Sequence, residues 1–205
     1  MGNERKLTVG TAVAEAFKIS IANFVSLFFA SILYVLTIWI PYLNVGTTIA
    51  MASIPLALNK GTVISPLFIF ESKYRKYMGE YFTLQGLMLM SIVPALCFMI
   101  VPGIVIAIGW SLALFIMIDK GVSPSEALIL SNKATHGYKW TIFGLYFVAY
   151  IASFVLFLII GGISSILPDF IAVILAIVQF AVFLVLPMAC HAVIYKNLMQ
   201  ETDAE

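Results

Sequence analysis

Charge is what this sequence has least of. Only 10% of its 205 residues are Asp, Glu, Lys or Arg, and 62% are apolar. Soluble domains carry about 25% charged and 45–50% apolar residues, so a globular cytosolic fold is excluded. Eleven basic and ten acidic residues leave a net charge of +1. No long-range field therefore draws in nucleic acid, and none is expected as a partner. Cysteine is scarce as well. Cys97 and Cys190 both sit in apolar surroundings, which suits small packing residues, not a disulfide framework or a metal pair. The two histidines, His136 and His191, belong to no HExxH, CxxC, GxSxG or P-loop pattern. His136 stands beside Gly137 at an expected helix end, where it suits the C-terminal dipole. His191 lies near the inner end of the last apolar run, where hydrogen bonding to neighbours is the ordinary role. Neither enzyme nor cofactor is expected.

What is present is long apolar runs. No charged residue falls within 19–59, 81–118, 140–168 or 170–195. A helix needs about 20 residues to cross roughly 30 Å of hydrocarbon. The first two runs therefore hold two crossings each and the last two hold one each. Turn residues mark the cuts: Pro41 to Gly46, Val101-Pro102-Gly103 and Pro168-Asp169. The expected spans are 23–40, 45–58, 82–100, 104–118, 140–164 and 170–195. The fold class is thus all-α and polytopic, six transmembrane helices arranged as three hairpins. The second and fourth spans are short, and need thinned bilayer or interfacial helices that complete them. Pro94 and Pro187 predict kinks in the third and sixth.

Orientation follows from the basic residues. Arg5, Lys6, Lys18, Lys60, Lys73, Arg75, Lys76, Lys120, Lys133, Lys139 and Lys196 all fall on one side of the six-span arrangement. The positive-inside rule makes that side cytoplasmic, both termini included. No cleavable signal is expected, because the first apolar run far exceeds a 7–15-residue h-region. Lys6 also stands where a myristoylation motif needs Ser or Thr.

Between the fourth and fifth spans lies a polar island, Asp119 to Trp140. Ser123 is a good N-cap, Pro124 fits the first helical position, and Glu126 three residues on completes a capping box. Ala127, Leu130, Ser131 and Ala134 recur at helical spacing, and Gly137 suits a C-terminal stop. This helix should lie in the cytoplasmic interface, with other protein covering Ile129. Related patterns precede the third span (Asn59-Lys60-Gly61, Ser65-Pro66, Glu71 to Tyr77) and the first (Ala14 to Ser20). Three units of amphipathic helix plus hairpin follow, at 1–60, 61–120 and 121–205, within one membrane domain.

Pro102-Gly103, Gly109-Trp110, the run Asp119-Lys120-Gly121-Val122-Ser123-Pro124-Ser125-Glu126-Ala127-Leu128, Ser131 and Gly137-Tyr138-Lys139-Trp140 together resemble a group of bacterial six-span membrane proteins. That group includes the membrane domain attached to some glycerophosphodiester phosphodiesterases. The likeness covers most of the chain from about Val9, and its motifs are structural, not catalytic. It implies a bacterial cytoplasmic membrane and a setting in lipid or envelope homeostasis. The phosphodiesterase activity of those fusions belongs to a separate soluble barrel and is not carried over.

The expected role is non-enzymatic binding or scaffolding in the membrane, with membrane lipids as partners. The alternative is a transporter or oligomeric pore for a neutral or lipid-like molecule. That alternative needs a polar cavity at mid-membrane, for which Gln85, Trp110 and Gln179 are the candidate lining. No Asp, Glu, Lys or Arg lies mid-span, where a charge costs about 2.5–3.5 kcal/mol. Small residues repeat every four positions on several spans, such as Ala22-Ser26-Ala30 and Ala149-Ser153. Such faces let helices approach closely, within one monomer or between copies of a homo-oligomer. Lys73, Arg75 and Lys76, interleaved with Tyr74 and Tyr77, are candidate contacts for anionic lipid headgroups.

Overall fold

A computed structural model of the chain describes residues 7–59 and 65–202. Arg5, Lys6 and the expected Lys60-Gly61 turn lie outside the described residues. Among those described there is no strand, and the elements are α1 (Val9–Thr37), α2 (Leu43–Ala52), α3 (Ile54–Asn59), a 3-10 turn (Pro66–Phe70), α4 (Ser72–Arg75), α5 (Met78–Phe98), α6 (Ile100–Gly109), α7 (Ala113–Lys120), α8 (Pro124–Ala134), α9 (Lys139–Ser164) and α10 (Asp169–Thr202). Among the described residues, five stretches are long and apolar enough to cross a membrane: Val9–Thr37, Met78–Phe98, Ile100–Lys120, Lys139–Ser164 and Asp169–Met199.

Several expectations change in detail. The segment around Ala14 to Ser20 is not a separate interfacial helix. It runs straight into the first span as α1, because nothing between Lys18 and Asn23 breaks a helix. Ser20 and Ser31 bond back to the carbonyls of Ala16 and Leu27, both at 2.8 Å, so their hydroxyls are satisfied without a break. The second span is split into α2 and α3, neither long enough to cross alone. The break between the third and fourth spans falls at Met99, which is extended (φ −152°, ψ 120°). Pro102 then sits within the first turn of α6, where an N–H has no helical acceptor to lose. Gly103 lets α6 return tightly along α5, since a Cβ there would lie 2.8 Å from the Leu96 backbone nitrogen.

The fourth span is also broken, and the polar island closes the break. Ser111 N–H bonds Ile108 O and Ala113 N–H bonds Trp110 O, at 3.2 and 3.1 Å. This tightening deprives Leu112 N–H of its helical acceptor and Gly109 C=O of its helical donor. Ser131 of α8 takes both. Its hydroxyl donates to Gly109 O at 2.7 Å and accepts from Leu112 N–H at 3.2 Å. Thr135 Oγ1 lies 3.3 Å from the same carbonyl. The island's own chemistry is as expected: Ser123 accepts from Glu126 N–H, Gly121 (φ 64°) caps α7, and Gly137 (φ 85°) turns the chain after α8. Ala127, Ser131 and Ala134 are buried, with Leu128 beside them. Ile129, by contrast, is exposed, and no described residue covers it.

The C-terminal half of α10 is the central post. Val185 and Ala192 pack with α1, α2, α3 and the 3-10 turn, through Leu27, Ile49, Ile54 and Phe68. Ala189, Cys190, Val193 and Ile194 pack with α7, α8 and the start of α9, through Ile116, Met117, Ala127 and Ile142. Polar ties join the same end: Tyr195 OH donates to Asp119 Oδ2 at 2.7 Å, and Lys196 Nζ meets Glu15 Oε1 at 2.8 Å. The other end is apolar and bare. Val25 and Phe29 on α1, Phe98 and Ile100 at the α5–α6 turn, Phe157 and Ile163 on α9, and Phe170 and Val173 on α10 are all exposed. Soluble monomers rarely expose contiguous apolar surface beyond a few hundred Å². The whole is consistent with a multi-pass membrane protein.

Candidate ligand-binding cleft

The bare end of the molecule is a long hairpin of α9 and α10, joined by a four-residue turn around Pro168. Proline cannot continue a helix, and Asp169 opens the next one at its positive end. Both helices are apolar on every side, so packing against each other leaves their outer faces unpartnered. Between them lies a cleft of about 550 Å³, walled by Tyr150, Phe154 and Phe157 on α9 and by Phe180 and Phe183 on α10. These rings recur at three- and four-residue spacing, which puts them on one face of each helix. Small residues, Gly161, Ala172 and Ala176, keep the cleft open toward the hairpin turn.

One side chain in the cleft is out of character. Gln179 is 6% exposed, and its Nε2 donates to the Ser153 carbonyl at 3.4 Å. A carbonyl can only accept, so this contact fixes the amide orientation and leaves Oε1 as the free end. That oxygen is buried and has no hydrogen-bond partner, a condition worth about 1–3 kcal/mol of lost stability. Eight residues further on, Pro187 has no N–H to offer the Phe183 carbonyl, its helical partner. Ser153 also borders a second groove of about 680 Å³ between α1, α9 and α10, lined almost wholly by Val, Ala, Leu and Phe.

The other candidates stand elsewhere. Gln85 is on an exposed face of α5, and Trp110 is half-buried at the α6–α7 break, against the core. Neither lines the cleft or the groove. Lys73, Arg75 and Lys76 are all exposed, on and just after α4. Lys73 is already engaged: it pairs with Glu71 and lies 4.9 Å from the Tyr74 ring centroid. The hydrogen bond to Glu71 holds its pKa above the ordinary lysine value, so it stays charged at neutral pH but is partly neutralised. The Arg75 stem crosses Gly46 so closely that a Cβ there would meet its Cγ at 2.7 Å.

His191 Nδ1 lies 2.9 Å from Pro187 O, so that nitrogen carries the proton. Its ring packs against Phe115 and Tyr146, at 5.6 and 4.9 Å between centroids. The Tyr146 hydroxyl is buried without a partner. Sequence reasoning missed both Tyr146 and the aromatic wall. The only signal was the spacing of Tyr150, Phe154 and Phe157, which in an apolar span reads equally as lipid-facing surface. Among the described residues no three of His, Cys, Asp and Glu gather to hold a metal.

The described residues therefore form an all-helical protein with five membrane-length apolar stretches and an apolar cleft in its exposed hairpin. No family model, curated protein or solved structure matches it.

Proposed function

We propose that this is a non-enzymatic, multi-pass protein of a bacterial cytoplasmic membrane that binds lipid within the bilayer. One observation carries the reading: cleft and groove, of about 550 and 680 Å³, flank α9 where the surrounding surface is apolar and exposed. Pockets of 300–1,000 Å³ with mostly apolar walls suit small hydrophobic ligands. The setting in lipid or envelope homeostasis rests on the resemblance described above.

In this reading α2 and α3 together form a sixth crossing, about 25 Å long at 1.5 Å per residue, beside locally thinned bilayer. The termini, the Lys73–Lys76 cluster and α8 then share the cytoplasmic side. Three structural units remain the proposed plan. Two features support it: Ser53 and Ser111 sit at the two helix breaks, and each donates to the carbonyl three residues back, at 2.9 and 2.8 Å. The separation of Gln85, Trp110 and Gln179 favours binding over a continuous transport path.

Native mass spectrometry of the chain in a gentle detergent tests this. The expected spectrum contains lipid adducts that survive activation energies removing detergent. A chain released bare under those conditions, with lipid present throughout purification, would overturn the reading. The same spectrum gives the copy number.

A further inference from the structure

We infer that the α9–α10 cleft binds a neutral long-chain lipid alcohol, of the diacylglycerol kind, whose hydroxyl donates to Gln179 Oε1. The inference deepens the lipid-binding reading and rests on it. Gln179 Oε1 is a buried side-chain acceptor in an apolar cleft, and it lacks a donor. Within a membrane no bulk water can supply one. A lone trapped water needs two to four polar partners, and beside Gln179 the cleft lining offers only Tyr150, Ser153 and Ser164, the last already bonded to Ile160 O, among aromatic and aliphatic side chains. The missing donor must therefore arrive on something apolar.

Depth and charge narrow the choice. Gln179 lies ten residues into α10 from Asp169, about 15 Å along the helix and so near the middle of roughly 30 Å of hydrocarbon. No residue lining the cleft is charged. A phosphate or choline drawn to that depth would be an unpaired ion in an apolar medium. A neutral hydroxyl can make the journey, because it gives up one set of hydrogen bonds and regains one at Gln179. The chains would lie between Phe154, Phe157, Phe180 and Phe183, with Gly161 and Ala172 leaving an opening toward the interface.

The test uses the full chain in phosphatidylcholine nanodiscs with a diacylglycerol probe bearing a diazirine on one acyl chain, mapped by peptide mass spectrometry. Labelling is expected on α9 and α10 at the aromatic wall. Excess dioleoylglycerol should compete at least fivefold better than its O-methyl ether, which keeps the chains and loses the donor. Gln179→Leu should erase that preference while its thermal midpoint is unchanged or higher, since an orphaned acceptor has gone. Ala176→Trp, which fills the cleft, should abolish wall labelling altogether.

Equal competition by alcohol and ether in the natural chain overturns the role of Gln179 but leaves lipid binding standing. Labelling confined to the α1–α9–α10 groove overturns the cleft as the site, again without touching the broader reading. A dimer cross-linked through the α9–α10 face and unlabelled there would assign the cleft to a second copy and overturn the inference. Loss of all specific labelling, with bare protein in the mass spectrum, removes both.

Discussion

Replacing Ser131 with alanine removes one hydroxyl, strands the buried Leu112 amide and leaves the Gly109 carbonyl with only the longer 3.3 Å contact from Thr135 Oγ1. Each unsatisfied group costs about 1–3 kcal/mol. Ser131→Ala should therefore lower stability by at least that amount in detergent unfolding monitored by circular dichroism. Ser131→Thr, which keeps the hydroxyl, should lose less. The sequence made Ser131 visible as a member of a buried helical stripe. It could not show what the hydroxyl does, because a serine facing another helix and one completing that helix's backbone look alike in a one-dimensional pattern. Gly103 is a second residue with a defined task. A methyl at that position meets the Leu96 backbone nitrogen, which cannot rotate away, so Gly103→Ala should destabilise by about 1–3 kcal/mol through overpacking. The same measurement reads both variants.

Among the elements, the turn between α1 and α2 carries a backbone outlier. Tyr42 has φ 71° and ψ −41°, close to the strained γ-turn region, while its ring is largely exposed. Glycine reaches such angles freely and a β-branched residue does not. Tyr42→Gly should raise stability by about 1 kcal/mol and Tyr42→Val should lower it, seen as opposite shifts in thermal midpoint. The element boundaries that sequence reasoning found are those with turn chemistry of their own: Pro41 to Gly46, Gly121, Ser123-Pro124 and Pro168. Of those it missed, the α2–α3 break at Ser53 carries a signal, Pro55 in the first turn of α3, whereas the α6–α7 break carries none. The fourth span breaks at Trp110 to Leu112 because α8 offers side chains that make a break tolerable, which is a tertiary effect. The continuity of α1 was obscured for the opposite reason. A charged amphipathic start and an apolar span read as two segments, although no residue between them stops a helix.

For the whole molecule, the legible part was composition: an all-helical chain with several membrane-length runs follows from its hydropathy alone. The cleft was legible only in part. Gln179 stood out as a polar residue in an apolar run, but the aromatic wall that makes its position unusual depends on how α9 and α10 face each other. The proposed orientation can be checked directly. With Cys97 and Cys190 replaced by alanine, a cysteine introduced at Asp169 should react with a membrane-impermeant maleimide in intact cells. One introduced at Ser125 should react only after the membrane is opened. The reverse pattern, or equal labelling, would refute a shared cytoplasmic side for α8 and the termini.

The bridge from Ser131 to Gly109 and Leu112 also sets an order of events during synthesis. The closing hydroxyl is made 19 residues after Leu112, which at about 5–20 residues per second is on the order of one to four seconds later. Until then nothing fixes the break, and the span is free to run as one continuous helix with its backbone paired. The bend at Trp110 to Leu112 is therefore set after the fourth span has been made, when the polar helix that follows folds back against it.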